Sequence, residues 1–386
     1  MKIFKLITKN ILRHKLRSVL TILGIGIAVT AFIVLQTVVE AWYVGIEGAA
    51  ANRLIARHAV SFIFQLPLAY EQKIAAVPGV ERVTYANWFS GVYIDKSQFF
   101  ARLAVEAEDF FQVYPELLVP PDQMETFKRE RNSCIIGEQI AQRYNLKLGD
   151  AMTVEGDIYP GEWQFIVRGI YKPRDKMTDP SNMFFHWQYV DERMRIETPQ
   201  RAGKIGWYIV QIKDPAQSAQ VSLAIDELFK NSPYETKTET ERAFQQGFLA
   251  SAGAILTAMN FISFVIIGII MLVLGNTMIM SARERVREYA VLKTLGFSAG
   301  HIVGLIGGEA LTIAAAGGLT GFALAVPLVS AFEEFMPKGW FPVFDLQPVT
   351  VVYAAVAALC VGIASSLFPI YRALNTSIVN GLRQIG

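Results

Sequence analysis

Ser281-Ala-Arg-Glu-Arg-Val-Arg-Glu-Tyr-Ala-Val-Leu-Lys-Thr-Leu-Gly-Phe-Ser298 is a short, charged, amphipathic segment set between two long apolar runs. Upstream, nothing from Ala243 to Ala282 carries a charge; downstream, Ile302 opens another apolar run. A segment so placed leaves a bilayer, turns and re-enters it. Its four basic residues, Arg283, Arg285, Arg287 and Lys293, put it on the cytoplasmic side by the short-loop charge rule. Val286, Tyr289, Leu292 and Leu295 recur every three residues, close enough to helical spacing to line one broad face. Gly296 follows as the expected helix stop. The pattern predicts a cytoplasmic helix whose apolar face and charged flanks are gripped by a partner.

Hydrophobic residues make up 52% of the chain and charged residues 18%, a mixture that suits neither a bare helical bundle nor a soluble protein of this length. Four stretches reach the roughly 18 to 20 apolar residues needed to cross the hydrocarbon. They are expected as spans at 18–43, 247–282, 302–332 and 349–371. An even number of spans leaves both termini on one side. The segment before the first span holds Lys2, Lys5, Lys9, Arg13, Lys15 and Arg17 with no acidic residue, and the tail carries Arg372 and Arg383. Both termini (1–17 and 372–386) and the 283–298 loop are therefore expected in the cytoplasm. The long segment 44–246 and the short loop 333–348 are expected outside, the latter with Lys338 against Glu333, Glu334 and Asp345, and with interfacial Trp340, Phe341 and Phe344.

The start of the chain resembles a signal peptide only superficially. Its apolar run from Ser18 to Val39 is longer than the ~7 to 15 residues of a cleaved apolar core, so it is expected to stay as an anchor. Ile3, Ile7 and Ile11 at four-residue intervals predict a basic amphipathic helix lying on the cytoplasmic surface.

The outside segment reads as mixed α/β. Leu68–Val77 is helix-like, Pro78-Gly79 breaks it, and Val80–Tyr85 alternates as a strand does. A second unit repeats the order: strand Gly206–Ile212, a helix from Asp214-Pro215 to about Lys230, and strand Tyr234–Thr240. Between these two strand-helix-strand halves, the segment 100–200 holds short runs such as Ser133–Gly137, Ala151–Glu155 and Trp163–Tyr171 between Gly, Pro and Asp. It is expected as a β-rich insertion.

Catalytic chemistry is not visible. The four histidines, His14, His58, His186 and His301, have no metal-ligand spacing, and Cys134 and Cys360 fall in different regions, Cys134 reading as a buried small hydrophobe. No nucleophile elbow, zinc-protease motif or phosphate-binding loop occurs, and Asp175 and Asp179 read as a solvated loop. No catalytic, cofactor-binding or metal-binding residue is assigned, and no nucleic-acid partner is expected.

Over nearly its whole length the chain resembles a MacB/FtsX-type ABC transporter permease. Asn10-Ile-Leu-Arg-His-Lys-Leu-Arg-Ser-Val through Val29 resembles that family's opening helix, and Asn276 through Gly296 its second span and coupling helix. Ile135-Ile-Gly-Glu-Gln-Ile-Ala141 with Leu148-Gly-Asp150 is similar to a strand-helix run in its extracytoplasmic domain. Glu309-Ala-Leu with Gly317, Gly318 and Gly321 resembles its third span. Pro369-Ile-Tyr-Arg-Ala373 and Gly381-Leu-Arg383 are similar to its ending, though Ser377 stands where many members have proline. Unlike MacB itself, no nucleotide-binding domain is expected to be fused at the N-terminus. The resemblance implies a non-enzymatic subunit in a bacterial inner membrane, paired with a second permease copy as a homodimer or with a related permease as a heterodimer. It further implies a separate cytoplasmic ATPase that brings ATP and magnesium, and it admits a periplasmic membrane-fusion protein as partner. The ATPase would dock on Arg283, Glu284, Arg285, Arg287, Glu288, Leu292, Lys293, Leu295 and Gly296.

Two features of the third span need separate readings. Glu309 is ionisable and lies within the span, so it is expected in an ion pair with the coupling helix or the N-terminal segment, for example through Arg17 or Arg283; the alternative is snorkelling to the interface. Gly304, Gly308, Thr312, Ala316 and Thr320 repeat every four residues and, with Gly317 and Gly321, permit close helix packing within the subunit or across a dimer axis. Three functions fit: an exporter permease, an FtsX-like activator of a cell-wall hydrolase that moves nothing, or a membrane receptor without an ATPase.

Overall fold

A computed structural model describes residues 2–47, 49–96, 99–175, 177–250, 253–335 and 344–379. Lys338, Trp340 and Phe341 of the predicted short loop, and Gly381 and Arg383 of the tail, lie outside the described residues. The chain divides into a helical unit and an α/β unit, the latter built mainly from 41–252.

In the helical unit, four helices are long and apolar enough to cross a membrane: Lys15–Tyr43, Gly253–Glu284, Ala299–Phe332 and Pro348–Asn375. A helix at Lys2–Ile11 and a 3-10 turn at Leu12–His14 precede the first span. Ile7 is buried and Ile11 packs against the unit's core, so the apolar face read as a surface anchor is at least partly spent on the protein itself. The small residues of the third span answer the packing question for the described chain. A Cβ on Gly308 would meet Ile7 at 2.6 Å, one on Gly317 would meet Ile25 at 2.5 Å, and one on Gly321 would meet Val29 at 2.6 Å. Thr30 Oγ1 in the first span donates to the Gly321 carbonyl at 3.0 Å, which needs backbones this close. Thr312 and Ala316 are both half-buried, and the hydroxyls of Thr312 and Thr320 return to their own helix at Gly308 and Ala316. Gly304 is the exception among the glycines, since a Cβ there would have nothing within 4 Å.

The α/β unit is built on strands β1 (Arg53–His58), β2 (Leu66–Pro67), β3 (Val80–Trp88), β4 (Arg102–Val105), β5 (Leu117–Leu118) and β6 (Ser133–Gly137). These are followed by β7 (Ala151–Gly156), β8 (Gly161–Pro173), β9 (Met183–His186), β10 (Lys204–Ile205), β11 (Trp207–Ile212) and β12 (Thr236–Thr240). The main sheet runs β12-β1-β11-β3-β4-β9-β6-β8-β5, with β7 paired to β8; β2 and β10 pair separately. The two strand-helix-strand segments interleave: β1 lies between β12 and β11, and β11 between β1 and β3, all antiparallel. That is the split β-α-β arrangement of a single half-sheet, with helices Tyr70–Ala75 and Ser218–Leu228. Segment 100–200 enters at the free edge of β3 through β4 and continues the same sheet, with parallel pairs β4–β9 and β6–β8.

The insertion contributes strands β4 to β9, and it also carries helices Phe110–Val113, Pro121–Arg129, Glu138–Tyr144 and Trp187–Glu197. These are short: Pro121–Arg129 buries only Phe127 and so shows no helical period, whereas Trp187–Glu197 buries Trp187, Val190, Asp191 and Met194 at helical spacing, a signal the strand reading of this segment passes over. Strand alternation sorts the core into two layers. Leu54, Ala56, Tyr208 and Val210 face one layer; Ile55 and Ile209, between them in sequence, face the other. Gly137 closes β6 against a loop, where a Cβ would collide with the Pro180 carbonyl oxygen.

Candidate coupling site

The second span ends at Glu284, the backbone breaks at Arg285, and a new helix runs Val286–Thr294. Gly296 then takes φ +84°, which stops the helix as its sequence predicts. The break makes Arg285 the hub. The residue is 4% exposed, Nη1 donates to Glu309 Oε2 at 2.7 Å and Nη2 to the Asn10 carbonyl at 3.1 Å. Ser281 Oγ donates to the other Glu309 oxygen at 3.3 Å. Glu309 is thus in a buried ion pair, as its position in a span requires, but the partner is Arg285 and neither Arg17 nor Arg283.

Arg17 serves a different carboxylate. It binds Glu284 through two hydrogen bonds of 2.9 and 2.7 Å, with His14 Nε2 at 3.6 Å, and Arg13 pairs with Glu288. At the other end, Lys293 Nζ donates to the carbonyls of Ala373, Leu374 and Thr376 at 3.0, 2.9 and 2.8 Å. These are carbonyls at the end of the fourth span, and a cation there also complements the helix dipole. The linking helix is bonded to the N-terminal helix, the third span and the fourth.

The apolar stripe is mostly turned inward. Tyr289 and Ala290 are buried and Leu292 packs on the core, and burial pushes the Tyr289 hydroxyl up to about 12. Of the residues assigned to ATPase docking, Arg285, Leu292 and Lys293 are therefore occupied inside the unit, and Glu284 and Glu288 hold internal ion pairs at its surface. A stripe at helical spacing does not say which neighbour covers it. The surface left open consists of Arg283, Arg287, Val291 and Leu295, the last 70% exposed, with Gly296 and Phe297 beside them. Sequence reasoning does not find Asn10, Ser281 or the terminal carbonyls; they act through backbone oxygen or a common hydroxyl, which leaves no signature.

Several polar residues in the spans bond to a neighbouring helix or to their own backbone. Gln36 Nε2 donates to Asn260 Oδ1 at 3.3 Å, Ser263 Oγ to the Met259 carbonyl, and Thr350 Oγ1 to Glu40. Ser365 and Ser366 return to Gly362 and Ile363 in their own helix.

Four apolar helices joined by a bonded turn, with a large mixed-sheet unit inserted after the first, define a multi-pass membrane protein with a substantial non-membrane domain. A family model described as MacB-like periplasmic core domain matches residues 18–228, and one described as FtsX-like permease C-terminal matches 260–378. The chain belongs to the MacB/FtsX-type family of ABC transporter permeases, and its α/β unit is the extracytoplasmic domain of that family. It is 22% identical to an uncharacterized ABC transporter permease of Methanocaldococcus jannaschii, covering 99% of this chain and 98% of that protein. It is 24% identical to the lipoprotein-releasing system transmembrane protein LolC of Haemophilus influenzae, covering 94% of this chain and 92% of LolC. The match to macrolide export ATP-binding/permease protein MacB of Neisseria gonorrhoeae, 25% identical, takes in 45% of this chain and 27% of MacB. Among solved structures it is similar to the periplasmic region of MacB from Actinobacillus actinomycetemcomitans, 15% identical with a TM-score of 0.38, over 53% of this chain and 95% of that one.

Proposed function

We propose that this permease, working with a second permease copy, relays motion from a separate cytoplasmic ATPase to its α/β domain. ATP and its magnesium are bound by that ATPase. In this reading the termini and the linking helix face the cytoplasm of a bacterial inner membrane, as the basic N-terminal segment favours. The observation that carries the proposal is the division of the linking helix into two faces. One is fixed to three other helices by Arg285, Tyr289, Leu292 and Lys293; the other presents Arg287, Val291 and Leu295 outward. A push on the outer face is delivered to the spans through bonded contacts.

Cargo is the finer question. Several polar side chains of the spans, Thr30, Gln36, Asn260 and Ser263 among them, bond to neighbouring helices or to their own backbone, and the first and third spans meet at glycine-backbone distance. Such packing disfavours a water-filled path for a hydrophilic solute. The favoured cargo is one already in the outer leaflet or outside the membrane, in keeping with the lipoprotein release named for LolC. The test replaces Arg287 with Glu and Leu295 with Asp together and asks whether the ATPase still co-purifies. Loss of the ATPase with an unchanged melting temperature is expected; full retention would overturn the docking face.

A further inference from the structure

The α/β unit contains a cavity of about 590 Å3, within the ~300–1,000 Å3 range of small-molecule sites. It lies on the sheet face that carries Ile209 and Phe184, and Leu103, Phe110 and Trp207 complete an apolar and aromatic floor. Ala49, Ala50 and Asn52, where the chain enters the unit, and Glu241 and Gln245, where it leaves, form one wall.

The polar lining is selective. Arg53 is saturated: Nε donates to Glu241 at 2.7 Å, Nη2 pairs with Glu116 at 2.7 Å, Nη1 donates to the Val113 carbonyl at 3.1 Å, and the guanidinium sits 4.3 Å from the Tyr114 ring centre. It has little left to offer an anion. Four carboxylates line the cavity (Glu116, Glu241, Asp175, Asp179) against two guanidiniums, Arg53 and Arg174, a formal surplus of two negative charges. Two further acceptors, Gln211 Oε1 and Gln245 Oε1, are buried in its lining without a donor. A buried acceptor lacking a donor is unfavourable, and a ligand N–H removes the deficit.

We propose that this cavity is a binding site for an amine-bearing amphiphile. The apolar body lies on Trp207, Phe110 and Phe184, and the ammonium group donates to the glutamine oxygens and is attracted by the surplus carboxylate charge. An aromatic floor beside a cationic head adds cation–π attraction. The site is lined by residues of the α/β unit alone and does not depend on an ATPase.

The experiment titrates n-octylammonium, n-octanoate and n-octanol into the full-length chain in lipid nanodiscs by calorimetry, subtracting empty nanodiscs. Saturable one-site binding of octylammonium is expected, about tenfold tighter than either comparator. Gln211→Leu with Gln245→Leu should weaken it by roughly fivefold. Ala50→Trp, outside every strand and at the cavity wall, should remove it while leaving the melting temperature unchanged. No saturable heat above empty nanodiscs, octanoate binding as tightly as octylammonium, or an Ala50→Trp variant binding like the parent would each overturn the proposal.

Discussion

Arg285 and Arg53 are both buried guanidiniums paired with carboxylates, yet they hold different kinds of structure together. Arg285 joins pieces of chain that are distant in sequence: Asn10 in the N-terminal helix, Glu309 in the third span, and its own position at a helix break. Apolar helices in lipid have no hydrophobic drive to associate, because lipid tails are as apolar as their side chains, so close packing and polar bonds set how they sit together. Arg53 begins β1, which is already fixed residue by residue against β11 and β12. Its ion pairs with Glu116 and Glu241 are added to a register that the ladder has set. In the helical unit a polar bond defines position; in the α/β unit it shapes a cavity whose position is given.

The largest consequence is expected at Glu309. Glu309→Leu leaves Arg285 buried without its carboxylate, and removing one partner of such a pair costs about 3–5 kcal/mol. Thermal unfolding in detergent should show a large fall. The double change Arg285→Met with Glu309→Leu should restore most of the melting temperature, because no unpaired charge remains. It should not restore ATP-driven activity, because the direct bonds to the N-terminal helix and third span are gone. Recovery of both would reduce the pair to a structural filler and erase the difference between the two arginines.

A smaller effect is expected from Arg53→Met. Glu241 keeps the Tyr114 hydroxyl, which donates to it at 3.0 Å, and the Glu116 side chain is 22% exposed, so water reaches one of the two carboxylates left behind. A loss of about 1–3 kcal/mol is anticipated in denaturant unfolding, with the sheet's hydrogen-exchange protection retained. A loss as large as that of Glu309→Leu would mean that Arg53 too defines position.

The same contrast explains what can be read from sequence. Spans, the helix stop at Gly296 and the alternating strands of both half-sheet segments are legible, because each repeats a period or carries a conformational demand. Glu309 is legible as a charge needing a partner. Arg285 is not identifiable among Arg17, Arg283 and itself, since all three cations are plausible partners along the chain and only the local break at residue 285 aims one of them inward. The inward turn of Leu292 is hidden for a related reason: amphipathicity defines a face without naming what covers it. Gln211 and Gln245 carry no signal at all, being 34 residues apart and ordinary until the fold brings both to one cavity.

The smallest expected effect tests whether the α/β unit has buried polar groups that its ladder tolerates at a cost. His186 ends β9 with its ring buried and Nε2 at 2.7 Å from the Phe127 carbonyl. Burial lowers its pKa below the ordinary 6.5, outweighing the carbonyl contact that raises it. The unfolded chain therefore takes up a proton near pH 6.5 while the folded unit still resists, so acidification through that value favours unfolding. The loss is at most about 1.4 kcal/mol per pH unit, ending where the folded ring itself titrates. Glu71 and Asp179 act in the opposite sense: burial raises both pKa values, so they favour the fold at low pH and lose that contribution as pH rises. The informative quantity is the difference between the parent and His186→Gln, which keeps a donor for Phe127 but cannot charge. Between pH 7.5 and 5.5 the parent should lose more stability than the variant in thermal unfolding. Parallel curves would place the acid sensitivity of this unit elsewhere and leave His186 as a neutral hydrogen-bond donor.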